Sequence, residues 1–252
     1  MTVAVSGRIP ACPLFRGLAP ETERCLQSAA HEVGVRRGET IFLQGNQAQT
    51  CFIVLEGWVK LYRVTSNGAE AIVRVQTAPE TLGFCSALQS RVHIYGAEAV
   101  SGARLLAIPI STIRRLVLED VEFGKQLLTH SKMLLEQMLD HIEALKTQSA
   151  IQRVANFLLE HCQRWGDHFV VVLPFEKALV AGILGMQPAS FSRILKRLGA
   201  FGVRVTPTAI HIRQPALLKD LIETDRADAW PSARPKAAET ARNSAFLPAS
   251  SA

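Results

Sequence analysis

The spacing of hydrophobic and polar positions changes along the chain, and each change predicts a different kind of element. After a predicted helix from Pro20 to about His31, segments such as GETIFLQG, CFIVLEG and WVKLYRVT are short and rich in β-branched and aromatic residues, with Gly and Asn between them. This pattern predicts a small β-barrel or double-sheet roll. Asn67-Gly68 lies between two alternating strands and predicts a hairpin with a type I′ turn.

After Pro109 the apolar period becomes helical. STIRRLVLED predicts a short helix capped by Ser or Thr, and a long helix is predicted from Val121 to Thr147. Its apolar positions recur at spacings of three and four, and this stripe is assigned to dimerisation: Leu127, Leu134, Met138, His141, Ile142 and Leu145. The a/d-like period favours pairing with the same helix of a second subunit over packing on the roll, although different faces can do both.

The remaining elements are predicted in the order of a winged helix-turn-helix. AIQRVANFLLEHCQRWG predicts a helix, HFVVVLPF a strand, two helices follow, and VRVTPTAIHIR predicts a hairpin. The segment beyond about Lys219 is rich in Ala, Pro, Ser and charge without a period, which predicts disorder. The predicted fold class is therefore α+β, with a β-roll domain and its N-terminal helix at 1–120, a dimerisation helix at 121–147, a winged helix-turn-helix domain at 148–218 and a disordered tail at 219–252.

The stretch ILGMQPASFSRILKRL meets several requirements of a helix-turn-helix together. Ala181 is small enough for the crossing of the two helices, and Gly185 tolerates the positive φ of the turn. Pro188 is favoured in the first turn of a helix, so it begins the second helix rather than breaking it. The expected buried positions are Val180, Leu184, Met186, Phe191 and Ile194.

The charge of the chain is concentrated in this region. The net charge is +6, and residues 176–218 contain six lysines and arginines but a single acidic residue. Such a patch predicts a polyanionic partner, here double-stranded DNA. Arg193 is placed to read a guanine through two hydrogen bonds, which makes it the predicted base-reading residue. The other predicted DNA-binding positions are Gln187, Ala189, Ser190, Ser192, Lys196, Arg197 and Arg204.

Several classes of protein are disfavoured by the sequence. No apolar run approaches the length of a membrane span, and MTVAVSGRIPACPLF does not have the pattern of a secretory signal, so a cytoplasmic protein without a membrane partner is expected. The five scattered cysteines contain no C-x-x-C pair, which disfavours a disulfide framework or a zinc ribbon. No His-x-His or Ser-His-Asp arrangement is legible, so no enzyme is predicted.

The motifs RGETIFLQG, FIVLEGWVKLYR and LGMQPASFSRILKRLGAFG, in this order, resemble the Crp/Fnr family of bacterial transcription regulators. LVAGILGMQPASFSRILKRL is most similar to the Dnr/NnrR-type branch, whose members respond to nitric oxide. The resemblance implies a cyclic-nucleotide-binding-like roll and a homodimer that binds a palindromic operator and recruits or blocks RNA polymerase. It implies that Ser192 and Arg193 face the bases, while Ala189 occupies the position of the family's glutamate.

The resemblance also locates an effector pocket, whose predicted residues are Gly83, Phe84, Cys85, Arg91 and His93. Phe84 stands where cyclic-nucleotide-binding members have glutamate, and His93-Ile94 stands near the Arg-Ser position, so the cyclic-nucleotide cradle is incomplete. The tight cysteine cluster of an iron–sulfur sensor is missing. Haem remains a candidate cofactor, with candidate ligands Cys12, His31, Cys85, His93 and His141. The alternatives are a cyclic-nucleotide-responsive regulator with an altered pocket and an architectural DNA-binding protein whose barrel senses nothing.

Overall fold

The N-terminal half of the chain is a roll of two antiparallel sheets. The computed structural model describes residues 3–4, 12–84, 92–165, 168–171, 176–206 and 209–229. One sheet has the order β1-β2-β9-β4-β7 and the other β3-β8-β5-β6. The strands are β1 Val3–Ala4, β2 His31–Val35, β3 Thr40–Phe42, β4 Thr50–Glu56, β5 Trp58–Val64, β6 Glu70–Thr77, β7 Thr81–Leu82, β8 Gly96–Ala99 and β9 Ala103–Pro109.

The hairpin predicted at Asn67-Gly68 joins β5 to β6, but its turn differs from the predicted type. The amide of Gly68 donates to the carbonyl of Thr65 at 2.9 Å, and Gly68 has a φ of +81°. The amide of Thr65 in turn donates to the carbonyl of Ala69 at 2.9 Å. This is the pattern of a three-residue loop in which the glycine forms a bulge after the turn. The prediction of a type I′ turn is therefore wrong, because the glycine follows the turn instead of lying at its centre.

Helices close one end of the roll. A 3₁₀ turn at Pro13–Phe15 precedes α1 (Pro20–Ala29), and α2 (Ile110–Glu119) follows β9. The predicted Ser or Thr cap of α2 is wrong: the helix begins at Ile110, its N-cap is Pro109, and no side chain caps it. The earlier start buries Ile110 and Ile113 in a cluster with Leu26 and Phe123 at the base of the roll.

The long helix α3 spans Val121–Thr147, as the sequence predicts. Asp120 begins it by accepting hydrogen bonds from the amides of Glu122 at 2.9 Å and Phe123 at 3.1 Å. These bonds satisfy two of the amides that every helix leaves unpaired at its start. The side chain of Thr22 in α1 donates to the same carboxylate, which ties the start of α3 to the base of the roll.

The apolar residues of α3 lie on two faces. Leu127 is buried in the cluster at the base of the roll, while Leu134 and His141 are half-buried. A second face is exposed, with Leu128 at 73%, Leu135 at 57% and Leu139 at 56% of their full accessibility. The predicted residues Met138, Ile142 and Leu145 are also exposed. The assignment of Leu127 to dimerisation is therefore wrong, because its side chain is already used in packing within the chain.

The C-terminal region is a small helical domain with a four-stranded sheet in the order β10-β11-β13-β12. Among its described residues, apolar side chains form a separate core, in which Val154, Leu158, Phe191 and Ile212 are buried. Gln163–Trp165 forms a strand where the sequence predicts the end of a helix. The elements are α4 Ala150–Glu160, β10 Gln163–Trp165, β11 His168–Val171, α5 Lys177–Ile183, α6 Pro188–Arg197, a 3₁₀ turn Leu198–Phe201, β12 Val203–Val205, β13 Ile210–Ile212 and α7 Pro215–Ala229.

The last helix corrects the predicted limit of the ordered chain. α7 continues through Ala229, so the prediction of disorder from residue 219 is wrong for residues 219–229. Leu218 and Ile222, one turn apart, are buried in the C-terminal core. Gln152 in α4 donates to the carbonyl of Ile222 at 3.0 Å and holds this turn in place. The remainder of the predicted tail, 230–252, lies outside the described residues.

The two domains touch through the outer face of the β5–β6 sheet. Trp58, Val75 and Val100 pack against the C-terminal core. Gly182 in α5 lies so close to β6 that a Cβ atom built on it would be 3.2 Å from Cγ1 of Ile72. No single helix in the described part of the chain is long and apolar enough to cross a membrane.

Candidate nucleic-acid interface

The turn between α5 and α6 is built around Gly185, as the sequence predicts. Gly185 has a φ of +63°, a backbone conformation that residues other than glycine adopt only at a cost in free energy. The amide of Met186 donates to the carbonyl of Ala181 at 2.9 Å and closes the turn. Ala181 is fully buried, so a larger side chain there would force the helices apart.

The helix α6 begins at Pro188 and separates an apolar face from an exposed face. Gln187 is the N-cap, and Pro188 occupies the first turn, where a missing amide costs no hydrogen bond. Phe191, Ile194 and Leu195 are buried in the domain core. The opposite face is open: Ser190 is half-buried, and the exposed predicted positions are Gln187, Ala189, Ser192, Arg193, Lys196 and Arg197. All of the predicted DNA-binding residues except Arg204 thus lie on α6 or at its N-cap.

The cations of this face are free to meet an anionic ligand. Within the described residues, no carboxylate forms an ion pair with Arg193, Lys196 or Arg197. The Nη2 atom of Arg193 donates to Oγ of Ser190, one turn earlier, at 3.2 Å. The one acidic residue of the basic region, Glu176, instead pairs with Arg37 of the roll at 3.0 Å. The helix therefore presents unopposed positive charge with one arginine held along its surface.

The wing follows the recognition helix in the chain, after the 3₁₀ turn at Leu198–Phe201. β12 and β13 are antiparallel, with Arg204 directly opposite His211 in the register. The side chain of Arg204 is exposed. The amide of Thr206 donates to the carbonyl of Ala209 at 2.8 Å, which closes the base of the loop.

Three residues of the predicted effector pocket, Gly83, Phe84 and His93, are among the described residues. Gly83 has a φ of +79°, and a Cβ atom built on it would be 3.2 Å from Cε1 of His93. The His93 ring stacks on Phe42 at 3.8 Å between centroids, and burial lowers the pKa of this histidine. Phe84 is buried and meets Phe15 edge to face at 6.2 Å. Cys85 and Arg91 lie outside the described residues.

Sequence reasoning missed two polar groups where α3 faces the roll. His130 is buried, and its Nε2 atom lies 2.8 Å from Oγ1 of Thr81 in β7, while burial lowers the pKa of the imidazole. Arg74 in β6 donates to Oε1 of Gln137 in α3 at 2.7 Å. His130 follows the buried Leu127 by three residues, and that spacing is the signal that could have identified it.

The four described candidate haem ligands lie in different parts of the fold. Cys12 is fully buried beside the 3₁₀ turn, and burial raises the pKa of its thiol, which disfavours the thiolate that binds iron. His93 lies against Phe42, His31 begins β2, and His141 is on α3. Among the described residues, no three His, Cys, Asp or Glu side chains come together to hold a metal ion. Cys85, the remaining candidate ligand, lies outside the described residues.

A roll of two sheets, a long helix with an exposed apolar face and a winged helix-turn-helix with an unopposed basic helix define a DNA-binding regulator that carries a sensor-type domain. Residues 32–120 match the family model of the cyclic nucleotide-binding domain, and residues 152–221 match that of the Crp-like helix-turn-helix domain.

Relatives match over most of their length. The cyclic AMP receptor protein of Thermus thermophilus is 30% identical over 83% of this chain and 96% of its own. A solved structure of a putative cyclic nucleotide binding protein from Ruegeria pomeroyi is 40% identical over 83% of this chain and 93% of its own, with a TM-score of 0.63. FixK2 from Bradyrhizobium japonicum is 25% identical over 76% of this chain and 96% of its own, with a TM-score of 0.69.

The chain belongs to the Crp/Fnr family of transcription regulators. It is a DNA-binding transcriptional regulator and not an enzyme. The predicted fold class, with a cyclic-nucleotide-binding-like roll, a long helix and a C-terminal winged helix-turn-helix, is confirmed.

Proposed function

We propose that the protein acts in the cytoplasm as a homodimer that binds a palindromic operator and thereby recruits or blocks RNA polymerase. The exposed face of α3 carries the proposal. Leu128, Leu135 and Ile142 follow one another at intervals of seven residues on a face that nothing in the described chain covers. A seven-residue apolar repeat is the pattern by which two helices pair. A second copy of α3 would cover it and place two recognition helices on one DNA duplex.

The base-reading role is assigned to Arg193, and the phosphate contacts to Ser190, Lys196, Arg197 and Arg204. Ser192, which the family resemblance places facing the bases, carries a hydroxyl that suits a phosphate as well. The exposure of α6 supports this assignment, and so does the absence of carboxylate partners for its cations within the part of the chain that the structure describes. Arginine binds O6 and N7 of guanine with two hydrogen bonds, whereas a lysine or serine at the rim meets phosphate oxygens.

Ala189 is expected to set part of the operator sequence. Its side chain is exposed in the first turn of α6, where it can touch a thymine methyl but cannot accept a hydrogen bond. Ala189→Glu adds an acceptor for cytosine N4, so the preferred half-site should shift by roughly tenfold towards cytosine at one position. Selection of bound sequences from a random library, with the wild type in parallel, measures the shift. An unchanged sequence preference would count against this placement of Ala189.

The signal is proposed from the resemblance of LVAGILGMQPASFSRILKRL to the Dnr/NnrR-type branch: nitric oxide or redox state controls genes of nitrogen-oxide or anaerobic metabolism. We expect genome-wide occupancy to change at a defined set of promoters when cells receive nitric oxide. The same sites occupied to the same extent with and without nitric oxide would contradict this signal. Reconstitution with haem tests the cofactor separately, since bound haem gives a Soret absorption band. If no Soret band is seen after reconstitution, haem is not the cofactor.

The altered-pocket alternative predicts a different response. Phe84 is buried where a cyclic-nucleotide cradle needs a carboxylate for the ribose hydroxyl, so no gain in operator affinity is expected with cyclic AMP. A gain in operator affinity with cyclic AMP and none with nitric oxide would favour that alternative.

A further inference from the structure

The connection between α3 and the DNA-binding domain consists of two residues, Gln148 and Ser149. Gln148 ends α3 in an extended conformation, with φ −99° and ψ 140°. Ser149 begins α4 with a capping box: its hydroxyl accepts from the amide of Gln152, and the Gln152 side chain accepts from the amide of Ser149. The backbone angles of Gln148 and Ser149 therefore set the direction of the DNA-binding domain relative to α3.

Arg153 bonds to both sides of this two-residue connection. Its Nη1 atom donates to the carbonyl of Gln148 at 2.8 Å, and its Nε atom donates to the carbonyl of Leu184 at 3.0 Å. The first carbonyl ends α3, and the second ends α5, immediately before the turn to the recognition helix. Carbonyls at helix C-termini lack helical partners and carry partial negative charge, so a guanidinium is well suited to bind both. The rigid fork of arginine holds its two donors at a fixed separation.

A second contact joins the same two parts. A Cβ atom built on Gly185 would lie 3.0 Å from Cδ2 of Leu145, so the turn of the helix-turn-helix packs closely against the last turns of α3. Asn156, one turn after Arg153, donates to Oε1 of Gln148 at 2.8 Å but does not reach the recognition turn through that bond. Arg153 thus differs from its neighbour in joining the end of α3 to the turn itself.

We infer that Arg153 is a positioning residue that sets the spacing between operator half-sites which the protein accepts. The inference rests on the proposed homodimer, in which α3 lies at the two-fold axis. In such a dimer, the angle between α3 and α6 fixes the separation and the relative rotation of the two recognition helices. Adding one base pair between half-sites rotates them by about 35°, because B-DNA has about 10–10.5 base pairs per turn. Only a rigid connection can reject that change.

The test uses the full-length protein and a series of operators with identical half-sites and spacers changed by one or two base pairs. We expect wild type to lose roughly tenfold or more in affinity for each changed spacer, the size of a mismatched base pair. Arg153→Gln should bind the operator with the natural spacer more weakly than wild type does. It should bind the operators with changed spacers nearly as well as the natural one, and it should prefer the same half-site sequence as wild type. Arg153→Lys keeps the charge but a single ammonium cannot replace the fork, so it should show the same relaxed spacing.

Asn156→Ala is the matched control, since it loses a hydrogen bond to the same hinge residue without touching Leu184. It should keep the wild-type spacing preference. Sharp spacing discrimination in both Arg153 variants would overturn the inference, and relaxed spacing in Asn156→Ala would show that any loosening of α4 has this effect and would overturn it as well. If wild type itself shows no spacing preference, the proposed dimer on a palindrome fails instead, so the two failures are distinguishable.

Discussion

Arg193→Ala is expected to abolish the preference of this protein for its operator over unrelated DNA. Each guanine pairing lost costs about 1–3 kcal/mol, so a dimer loses roughly 2–6 kcal/mol over two half-sites, or at least about 30-fold in affinity. Binding to unrelated DNA should change little, because phosphate contacts provide most of it. Titration of operator and scrambled duplexes at one salt concentration measures both quantities.

Arg197→Ala is the matched control for Arg193→Ala, as both remove one exposed arginine from α6. Loss of a phosphate contact weakens binding to operator DNA and to scrambled DNA by the same factor. It also reduces the slope of log affinity against log salt concentration by about 0.9 for each lost contact, which is about 2 for the dimer. If Arg193→Ala behaves in this way and keeps the operator preference, Arg193 is not the residue that reads the bases.

Leu135→Glu is expected to convert the protein to a monomer and to remove operator binding without unfolding the chain. Leu135 is exposed within one chain, so the carboxylate costs little there. In a paired α3 it would be buried without a partner, at a cost of about 3–5 kcal/mol. Sedimentation or light scattering at micromolar concentration gives the mass, and thermal unfolding shows that the chain still folds.

Thr129→Glu introduces the same charge on the polar side of α3, where Thr129 is exposed. It should leave the mass and the operator affinity unchanged. A dimeric Leu135→Glu protein would show that the exposed face of α3 is not where two copies pair.

The recognition helix could be predicted from the sequence because its requirements are local. The positive φ of Gly185, the position of Pro188 in the first turn and the small Ala181 at the crossing each follow from the chemistry of one residue. The exposed and buried faces of α6 then follow from the helical period. The specific function of each exposed residue does not follow from the period, which is why those roles stay predictions.

The faces of α3 could not be assigned in the same way. Leu127 and Leu134 are seven residues apart, and so are Leu128 and Leu135, so both stripes satisfy the same repeat. Which stripe packs on the roll depends on where the start of α3 is held, and the bond from Thr22 to Asp120 joins residues 98 positions apart. The period alone contains no information about such a distant contact.

The helical structure of residues 219–229 also depends on tertiary contacts. The sequence after Lys219 is charged and alanine-rich, which predicts disorder in an isolated segment. In the folded domain, Leu218 and Ile222 enter the core, and Gln152 bonds to the backbone of α7. Two apolar residues one turn apart are too few to predict a helix from sequence. They stabilise a helix once they pack against a core that has already formed.

The most direct test of DNA reading by a dimer is selection of bound sequences from a random DNA library with the purified full-length protein. The proposed dimer should select an inverted repeat whose half-sites lie one helical turn apart, about 10–10.5 base pairs, or a multiple of it, as two symmetric recognition helices require. An architectural protein would enrich no defined sequence. Recovery of unrelated sequences, or of single half-sites without symmetry, would contradict a dimer that reads a palindrome through α6.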